Sequence, residues 1–340
     1  MKWQFNQSKH NQSFPKYIAL AIALLIGSIG TGVFLSANAS LFRKIFSISA
    51  PESSSSVDEV AAAISVKILD QEFLGSGFLV QQDAQKYTVI TNQHVLRAGE
   101  APYKIQTPDG QIHSARVVQT TVIPDYQYDL AVLEFQSETN YPVAKIGSSL
   151  YLEVGEPVFA AGFPYSELEL DTSNSDNSAT AEPKSRNDKL PGLTLKRGRI
   201  AIILNQALVE GYQIGYTNDV KKGMSGGPLL NSRGEVVGVN GKHAYPLWES
   251  PELYQDGSQP CPALEKLITR SSLAIPIEKS IELNPQLKSL RPASNVTATR
   301  QPYLETEDPR LVEQMQAEVR NTNQSCEEYG INTTNRPPQE

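Results

Sequence analysis

The chain has 340 residues, of which 39% are hydrophobic and 20% charged, so it can form one large globular domain or two ordinary ones. Its formal net charge of -7, without a basic stripe to neutralise phosphates, argues against a nucleic-acid partner. With two cysteines, four histidines, no metalloprotease ligand spacing and no phosphate-binding glycine loop, we expect neither a metal nor another cofactor.

The first 39 residues predict an export element. Three lysines and no acidic residue precede an uncharged apolar segment, 17–35, which is about as long as a bilayer-spanning helix. The sequence Ala-Asn-Ala at 37–39 has the form of a signal-peptidase site, so a cleaved signal peptide and a retained membrane anchor both stay open. Either alternative places the residues after a linker at 40–56 outside the cytoplasm, as a periplasmic or secreted protein.

From residue 57 to about 288, short apolar runs alternate with turn residues, which is typical of an all-β sandwich or barrel. We predict strands at 62–69, 75–80, 87–91, 103–107, 111–121, 129–135, 156–162, 193–195, 199–204, 211–217, 236–241 and 272–277. A single helical turn is expected at 95–96 and a closing helix at about 277–287. Two polar stretches differ from this pattern: a surface loop at 166–189, expected to be disordered, and a tail at 289–340, with helical periodicity only over 308–319.

One tight turn offers a nucleophile. Ser225 lies between glycines and is followed by a proline and an apolar run, so the turn presents a hydroxyl and then enters a strand. Gly223 permits a conformation in which its own N–H and that of Ser225 point at one spot, as an oxyanion hole requires.

A serine hydroxyl needs a base within hydrogen-bond reach, and the base needs an acid that orients it. His94, at the corner after the predicted strand 87–91, suits the role of the base. Asp129, at the mouth of the strand 129–135, suits that of the acid, although a turn or strand-end role is a simple alternative.

These three segments together resemble the signature blocks of bacterial trypsin-like serine peptidases. They read Thr-Asn-Gln-His-Val at 91–95, Asp-Leu-Ala-Val-Leu at 129–133 and Gly-Met-Ser-Gly-Gly-Pro at 223–228, in the His, Asp, Ser order of the chymotrypsin type. The resemblance extends over about 57–277. It implies two packed antiparallel six-stranded β-barrels, the first at about 57–145 and the second at about 146–288.

The resemblance also implies the roles of the residues. His94 would act as general base and then acid, Asp129 would orient it, and Ser225 would form the acyl-enzyme, with the oxyanion bound by the N–H groups of Gly223 and Ser225. The function expected is that of an exported serine endopeptidase acting on proteins or peptides. The alternatives are an inactive protease-like protein that binds peptides in the cell envelope and an envelope scaffold.

Two departures from the digestive members of the family matter. Met224 stands where those proteases have an aspartate that pairs with a newly freed N-terminus, so we expect an active site that forms on folding, with Met224 as packing material. The disulfides of animal members are absent. Only Cys261 and Cys326 are present, and either a disulfide between them or two unpaired thiols fits the sequence.

The sequence indicates the residues that set substrate specificity less clearly than it indicates the catalytic residues. Asp219 lies six residues before Ser225, where trypsin-like proteases hold an acid for Lys or Arg side chains, but Lys221 and Lys222 beside it could neutralise it, and it could be a turn residue. Asn240 stands on the strand after the nucleophile, where glutamyl endopeptidases have a histidine, so a preference for glutamate is not supported. His10, His113 and His243 are assigned no role.

Overall fold

The structure is a computed structural model that describes residues 56–120, 128–165, 192–244, 252–284, 286–287 and 308–328. The predicted export element at 1–39, nearly all of the linker at 40–56, the loop at 166–189 and much of the tail lie outside these residues. Within the described parts, no helix combines the length and the apolar character needed to cross a bilayer.

Twelve strands and five α-helices are formed by the described residues. The strands are β1 (Ser65–Leu69), β2 (Phe73–Asp83), β3 (Lys86–Thr91), β4 (Tyr103–Gln106), β5 (Ile112–Thr120), β6 (Ala131–Gln136), β7 (Pro157–Gly162), β8 (Thr194–Ile203), β9 (Ile214–Tyr216), β10 (Pro228–Asn231), β11 (Val236–Lys242) and β12 (Ser272–Pro276). The helices are α1 (Val57–Ile64), α2 (Gln93–Arg97), α3 (Pro262–Thr269), α4 (Ile277–Leu283) and α5 (Pro309–Glu328), and short 3₁₀ turns occupy Ser149–Tyr151 and Val209–Gly211.

The strands close into two barrels with the same internal order. The first runs β1-β2-β3-β6-β5-β4, and the second, β7-β8-β9-β12-β11-β10, repeats that order with the next six strands. All neighbouring strands are antiparallel. The predicted all-β fold with two six-stranded barrels is therefore confirmed.

Side chains that alternate along one strand contribute to two different hydrophobic clusters. On β2, Leu79 belongs to the cluster inside the first barrel, whereas its neighbours Phe78 and Val80 belong to a larger cluster shared with the second barrel. That shared cluster includes Leu230 and Val239 from the second barrel. Because successive strand residues face opposite sides, one strand both fills its barrel and holds the two barrels together.

Three predicted elements differ in the structure. Residues 62–64, expected to begin a strand, instead end α1, because Ser56 and Glu59 form a reciprocal capping box that starts a helix over the alanines. The predicted strands 193–195 and 199–204 are one continuous strand, β8, which passes through Gly198. The tail helix α5 extends well past the expected end at residue 319, and α3, which begins with Pro262 in its first turn, was not predicted.

Candidate active site

His94 lies at the corner where the first barrel's third strand turns into a short helix. β3 ends at Thr91, and Asn92 is extended before α2 begins, so the chain leaves the barrel wall here. The buried Asn92 side chain donates to the backbone carbonyl of Asp129 at 2.7 Å. This bond ties the corner to the segment before β6, so His94 and Asp129 are held next to each other.

The Asp129 side chain is fully buried, and both of its oxygens are engaged. Oδ1 accepts from the backbone N–H of His94 at 2.7 Å, while Oδ2 contacts His94 Nδ1 and accepts from the Tyr212 hydroxyl at 2.5 Å. An ionised carboxylate can only accept, so it places the proton of a neutral His94 on Nδ1 and leaves the Nε2 lone pair available. The His94 side chain is 42% exposed, so this basic nitrogen is accessible from outside.

Ser225 lies in the turn that leads into β10 of the second barrel. It lines the same cavity as His94, and its Oγ donates to the backbone carbonyl of Gly241 at 3.0 Å. The predicted nucleophile and the predicted base thus line one cavity, and the hydroxyl hydrogen of Ser225 is directed at β11.

The backbone before Ser225 has the conformation that the sequence predicts for an oxyanion site. Gly223 has a φ of +93°, and a Cβ at this position would lie 2.5 Å from the carbonyl oxygen of Phe163. Both its left-handed conformation and this close approach favour glycine. Within the described residues, the N–H groups of Gly223 and Ser225 donate no hydrogen bond, so both can bind an added acceptor.

Three carbonyl groups of this turn are fixed by hydrogen bonds. The Lys222 carbonyl accepts from the N–H of Tyr165 at 3.0 Å, the Gly223 carbonyl from the Ser76 hydroxyl at 2.7 Å, and the Ser225 carbonyl from the N–H of Ser76 at 2.9 Å. A peptide group's N–H points opposite its C=O, so the bond to the Lys222 carbonyl also sets the direction of the Gly223 N–H. The Met224 carbonyl, which accepts from the N–H of Gly227 at 3.1 Å, sets the direction of the Ser225 N–H in the same way.

Residues 75–239, which contain all three predicted catalytic residues, match the sequence profile of the trypsin-like peptidase domain family. This segment is a trypsin-like peptidase domain. Its family membership agrees with the two barrels and with the placement of His94, Asp129 and Ser225 at the ends of β elements.

Named relatives of this domain are serine proteases. The chain is 33% identical to human "Serine protease HTRA4" over 168 residues, which is 49% of this chain and 30% of that protein. It is 30% identical to "Serine protease HTRA1" of Xenopus laevis over 166 residues, 49% of this chain and 30% of that protein. Over 225 residues it is 30% identical to the Pseudomonas putida (strain GB-1) protein named "Probable periplasmic serine endoprotease DegP-like", 64% of this chain and 36% of that protein. The chain spans about a third of the length of these relatives.

A cavity of about 450 Å³ opens beside the catalytic candidates of the trypsin-like domain. His94, Ser225 and Gly223 form one part of its lining, and Asp70, from the turn between β1 and β2, and Phe73, at the start of β2, form another. The Asp70 carboxylate accepts from the backbone N–H of Glu72 at 2.7 Å, and this bond is the main cause that holds its pKa below the usual value. Asp70 therefore contributes a negative charge to the cavity lining at neutral pH, and Lys222, in the same lining, contributes a positive one.

The structure does not place Asp219 at the floor of a specificity pocket. Its side chain is 65% exposed, and its carboxylate pairs with Lys221 at 2.9 Å and with Lys196 at 3.8 Å. Residues 218–220 take a path that leaves this acid on the surface, so the predicted recognition of Lys or Arg finds no support in its position.

Asn240, the other predicted specificity residue, is fully buried in β11. Its Nδ2 donates to the carbonyls of Ala161 and Pro228, both at 3.1 Å, and its Oδ1 accepts from the Tyr216 hydroxyl at 2.9 Å. All of its polar atoms are used inside the second barrel, so its place in the structure is that of a strand-linking residue.

Met224 is also fully buried and packs in the interior cluster of the second barrel.

Cys261 and Cys326 are joined in a disulfide with their Cα atoms 5.5 Å apart, which links α3 to the tail helix α5. His113 stacks against Phe135, away from the cavity, and His243 is exposed.

Sequence reasoning missed two residues of the site. Ser76 holds the oxyanion turn from the first barrel, and Tyr212 donates to Asp129 from the second. The glycines on either side of Ser76 permit a close backbone approach, but they do not indicate which segment approaches. Nothing in the sequence around Tyr212 marks it as different from the other buried tyrosines.

Proposed function

We propose that the chain is a serine endopeptidase in which Ser225, His94 and Asp129 form a catalytic triad. The observation that carries this proposal is that His94 lies in one open cavity with Ser225 while its Nδ1 contacts the fully buried Asp129 carboxylate. Each member meets the chemical requirement of its role: a partly exposed hydroxyl, a base with a free Nε2, and an acid that fixes the base.

The first half of the reaction starts when the Ser225 hydroxyl turns from the Gly241 carbonyl toward His94 Nε2. Nε2 takes the hydroxyl proton as Oγ bonds to the carbonyl carbon of the scissile peptide, and the resulting imidazolium is stabilised by Asp129. In unliganded enzymes such hydrogen bonds are often not yet formed, so the bond to Gly241 is compatible with this step.

The carbonyl oxygen of the substrate becomes an oxyanion, which the N–H groups of Gly223 and Ser225 are free to bind. His94 then gives its proton to the leaving amine, and the C–N bond breaks to leave an acyl group on Ser225. A water molecule, deprotonated by His94, attacks the acyl carbon, and the acid product leaves as the proton returns to Oγ.

Labelling with a fluorophosphonate tests the proposal, because only an activated serine reacts readily. We expect the wild-type chain to be labelled and to hydrolyse an unstructured protein such as casein, and Ser225→Ala to do neither while keeping its fold. Ser258→Ala, at an exposed turn serine, is the matched control and should behave as wild type. An unlabelled wild type that still binds peptides would instead support the inactive peptide-binding alternative.

We further propose that the protease domain works outside the cytoplasm. The apolar segment 17–35 with its preceding lysines supports export, as does the disulfide, because such bonds persist in oxidising compartments. Cell fractionation followed by N-terminal sequencing tests this. A new N-terminus after Ala39 would show a cleaved signal peptide, an intact one in the membrane fraction a retained anchor, and a cytoplasmic protein would contradict export.

A further inference from the structure

Among the described residues, Tyr212 is the second-barrel residue whose side chain donates to the Asp129 carboxylate, while the Asp129 N–H donates to the Glu210 carbonyl of the same barrel at 2.9 Å. Its side chain is 1% exposed, and its hydroxyl donates to Asp129 Oδ2 at 2.5 Å, the same oxygen that contacts His94 Nδ1. Tyr212 follows the turn Val209–Gly211 and precedes β9. The bond therefore joins the acid of the first barrel to the second barrel, across the interface on which the site is built.

The surrounding residues make room for this ring. A Cβ atom on residue 241 would lie only 2.6 Å from Cζ of Tyr212 and would clash with the ring. Tyr212 can therefore occupy this position only because residue 241 is a glycine. The ammonium group of Lys242 lies 5.1 Å from the ring centroid and pairs with Glu252 at 3.2 Å. The ring is thus confined between the backbone of β11 and a paired cation.

We propose that Tyr212 is a positioning residue that holds the Asp129 carboxylate and limits the basicity of His94; this rests on the proposed function. An O–H bond directed at Oδ2 stabilises the negative charge and competes with the His94 N–H for that oxygen. Without the hydroxyl, Asp129 has one donor fewer and attracts the proton on His94 more strongly. His94 then titrates at a higher pH, and its orientation is less well fixed.

Other charges near His94 and Asp129 must stay constant in any test. Those that face the pair from neighbouring elements are Asp70, Glu72, Arg97, Glu210, Lys222, Lys242 and Glu252. None of these side chains is altered in Tyr212→Phe, so the variant removes the Tyr212 hydroxyl and keeps the surrounding charged residues.

The experiment compares Tyr212→Phe with Tyr216→Phe in the full chain. Tyr216 is an equally buried tyrosine whose hydroxyl donates to the neutral amide of Asn240 at 2.9 Å, so its variant controls for the loss of a buried hydroxyl. For Tyr212→Phe we expect kcat to fall about tenfold at unchanged KM, as for other partners that orient a reactive group. The lower pKa of the kcat/KM profile should rise by about half a unit to one unit, and Tyr216→Phe should shift neither quantity.

A proton NMR titration of the His94 ring gives a readout that does not depend on turnover. The midpoint of His94 should rise in Tyr212→Phe, and in Gly241→Ala, where the added methyl group displaces the ring. Identical midpoints in wild type and both variants would overturn the proposal, as would an equal shift in Tyr216→Phe. A wild type that resists fluorophosphonate and hydrolyses nothing would refute the proposed function, and the NMR midpoints would still decide the role of Tyr212.

Discussion

The Ser76 hydroxyl of the first barrel donates a hydrogen bond to the Gly223 carbonyl of the second barrel at 2.7 Å. The Ser76 hydroxyl oxygen also accepts from the N–H of Phe163 at 2.9 Å. In addition, the backbone N–H of Ser76 donates to the Ser225 carbonyl at 2.9 Å. One fully buried serine thus fixes two peptide groups of the oxyanion turn. The turn is held by these bonds from the other barrel and by the packing of Met224.

Ser76→Ala should impair catalysis strongly, although it removes only one hydroxyl group. The variant leaves the Gly223 carbonyl and the Phe163 N–H buried without their partner, which costs about 1–3 kcal/mol of folding free energy. With Gly223 less well fixed, we expect kcat to fall about 10- to 100-fold, with little change in KM. Steady-state hydrolysis and urea unfolding measure the two effects.

Ser65→Ala is the matched control for this variant. Ser65 is also a buried strand serine of the first barrel, but its Oγ has no hydrogen-bond partner in the described structure. Its removal should cost no stability and no activity. Equal losses in both variants would show that Ser76 acts through general packing.

Gly223→Ala should nearly abolish turnover. The added methyl group would meet the Phe163 carbonyl at 2.5 Å, and the backbone has a φ of +93°, so the turn must move. We expect a loss of kcat of at least about 100-fold. Gly110→Ala separates the two causes, because Gly110 has a φ of +84° but nothing within 4 Å of a Cβ. The Gly110→Ala variant should lose about 1 kcal/mol of stability and retain full activity. A small effect of Gly223→Ala on kcat would argue against the oxyanion role of Gly223.

Asp219→Asn should leave cleavage preference unchanged. The carboxylate is exposed and already paired with Lys221, so a substrate side chain gains little from it. A panel of peptides that differ only in the residue before the scissile bond should give the same ratios of kcat/KM for both proteins, within about twofold. A selective loss of Lys and Arg substrates in the variant would restore Asp219 as a specificity residue.

Glu235→Gln should lower stability at neutral pH but not in acid. Burial opposes ionisation of Glu235, yet hydrogen bonds from Arg233 and Asn231 outweigh it and hold the pKa of the carboxyl below its usual value of 4.5. A depressed pKa stabilises the folded state above the unfolded-state pKa, and this contribution disappears as the pH falls through the folded-state value. We expect the variant to be less stable by about 1 kcal/mol at pH 7.

Urea unfolding of wild type and Glu235→Gln at several pH values measures this difference, which should shrink as the pH falls below about 4. The exposed Glu138→Gln is the control and should show no such trend. A difference that is constant with pH would mean that Glu235 contributes through packing alone.

Cys326→Ala should destabilise the domain while sparing its chemistry. The disulfide with Cys261 closes a loop of 65 residues and fastens α5, which also contacts the second barrel through Gln316 and the Val154 carbonyl at 3.2 Å. We expect the free energy of unfolding to fall by about 2–4 kcal/mol, and kcat to stay within twofold because no residue of α5 lines the cavity that holds His94 and Ser225. Mild reduction of wild type should have the same effect, and a large loss of kcat in the folded variant would link the tail to the active site.

Local patterns predicted the barrels well. The runs that became β3, β6 and β12 are short, apolar and bounded by turn residues, and each strand formed within two residues of its expected ends. The three motif blocks also specified which residues would meet, because each lies where a strand begins or ends. At 62–64 the apolar residues predict a strand, but the capping box of Ser56 and Glu59 starts a helix that includes them.

The rest of the site depends on contacts that no local pattern encodes. Ser76 and Gly223 are 147 positions apart, and Tyr212 and Asp129 are 83 apart, so each bond exists only after both barrels have closed and docked. The exposed position of Asp219 has the same cause, since its spacing from Ser225 is local but the path of its loop depends on tertiary packing.

The division of the site between the barrels has a consequence for the newly made chain. His94 and Asp129 belong to the first barrel, whereas Ser225 and Tyr212 belong to the second, so neither barrel alone contains a nucleophile with its base. A half-folded copy would expose cleavable segments but could not cut. Under the proposed function, each copy would therefore become an active protease only after both of its barrels have closed and docked, so catalytic competence would report complete folding of the domain.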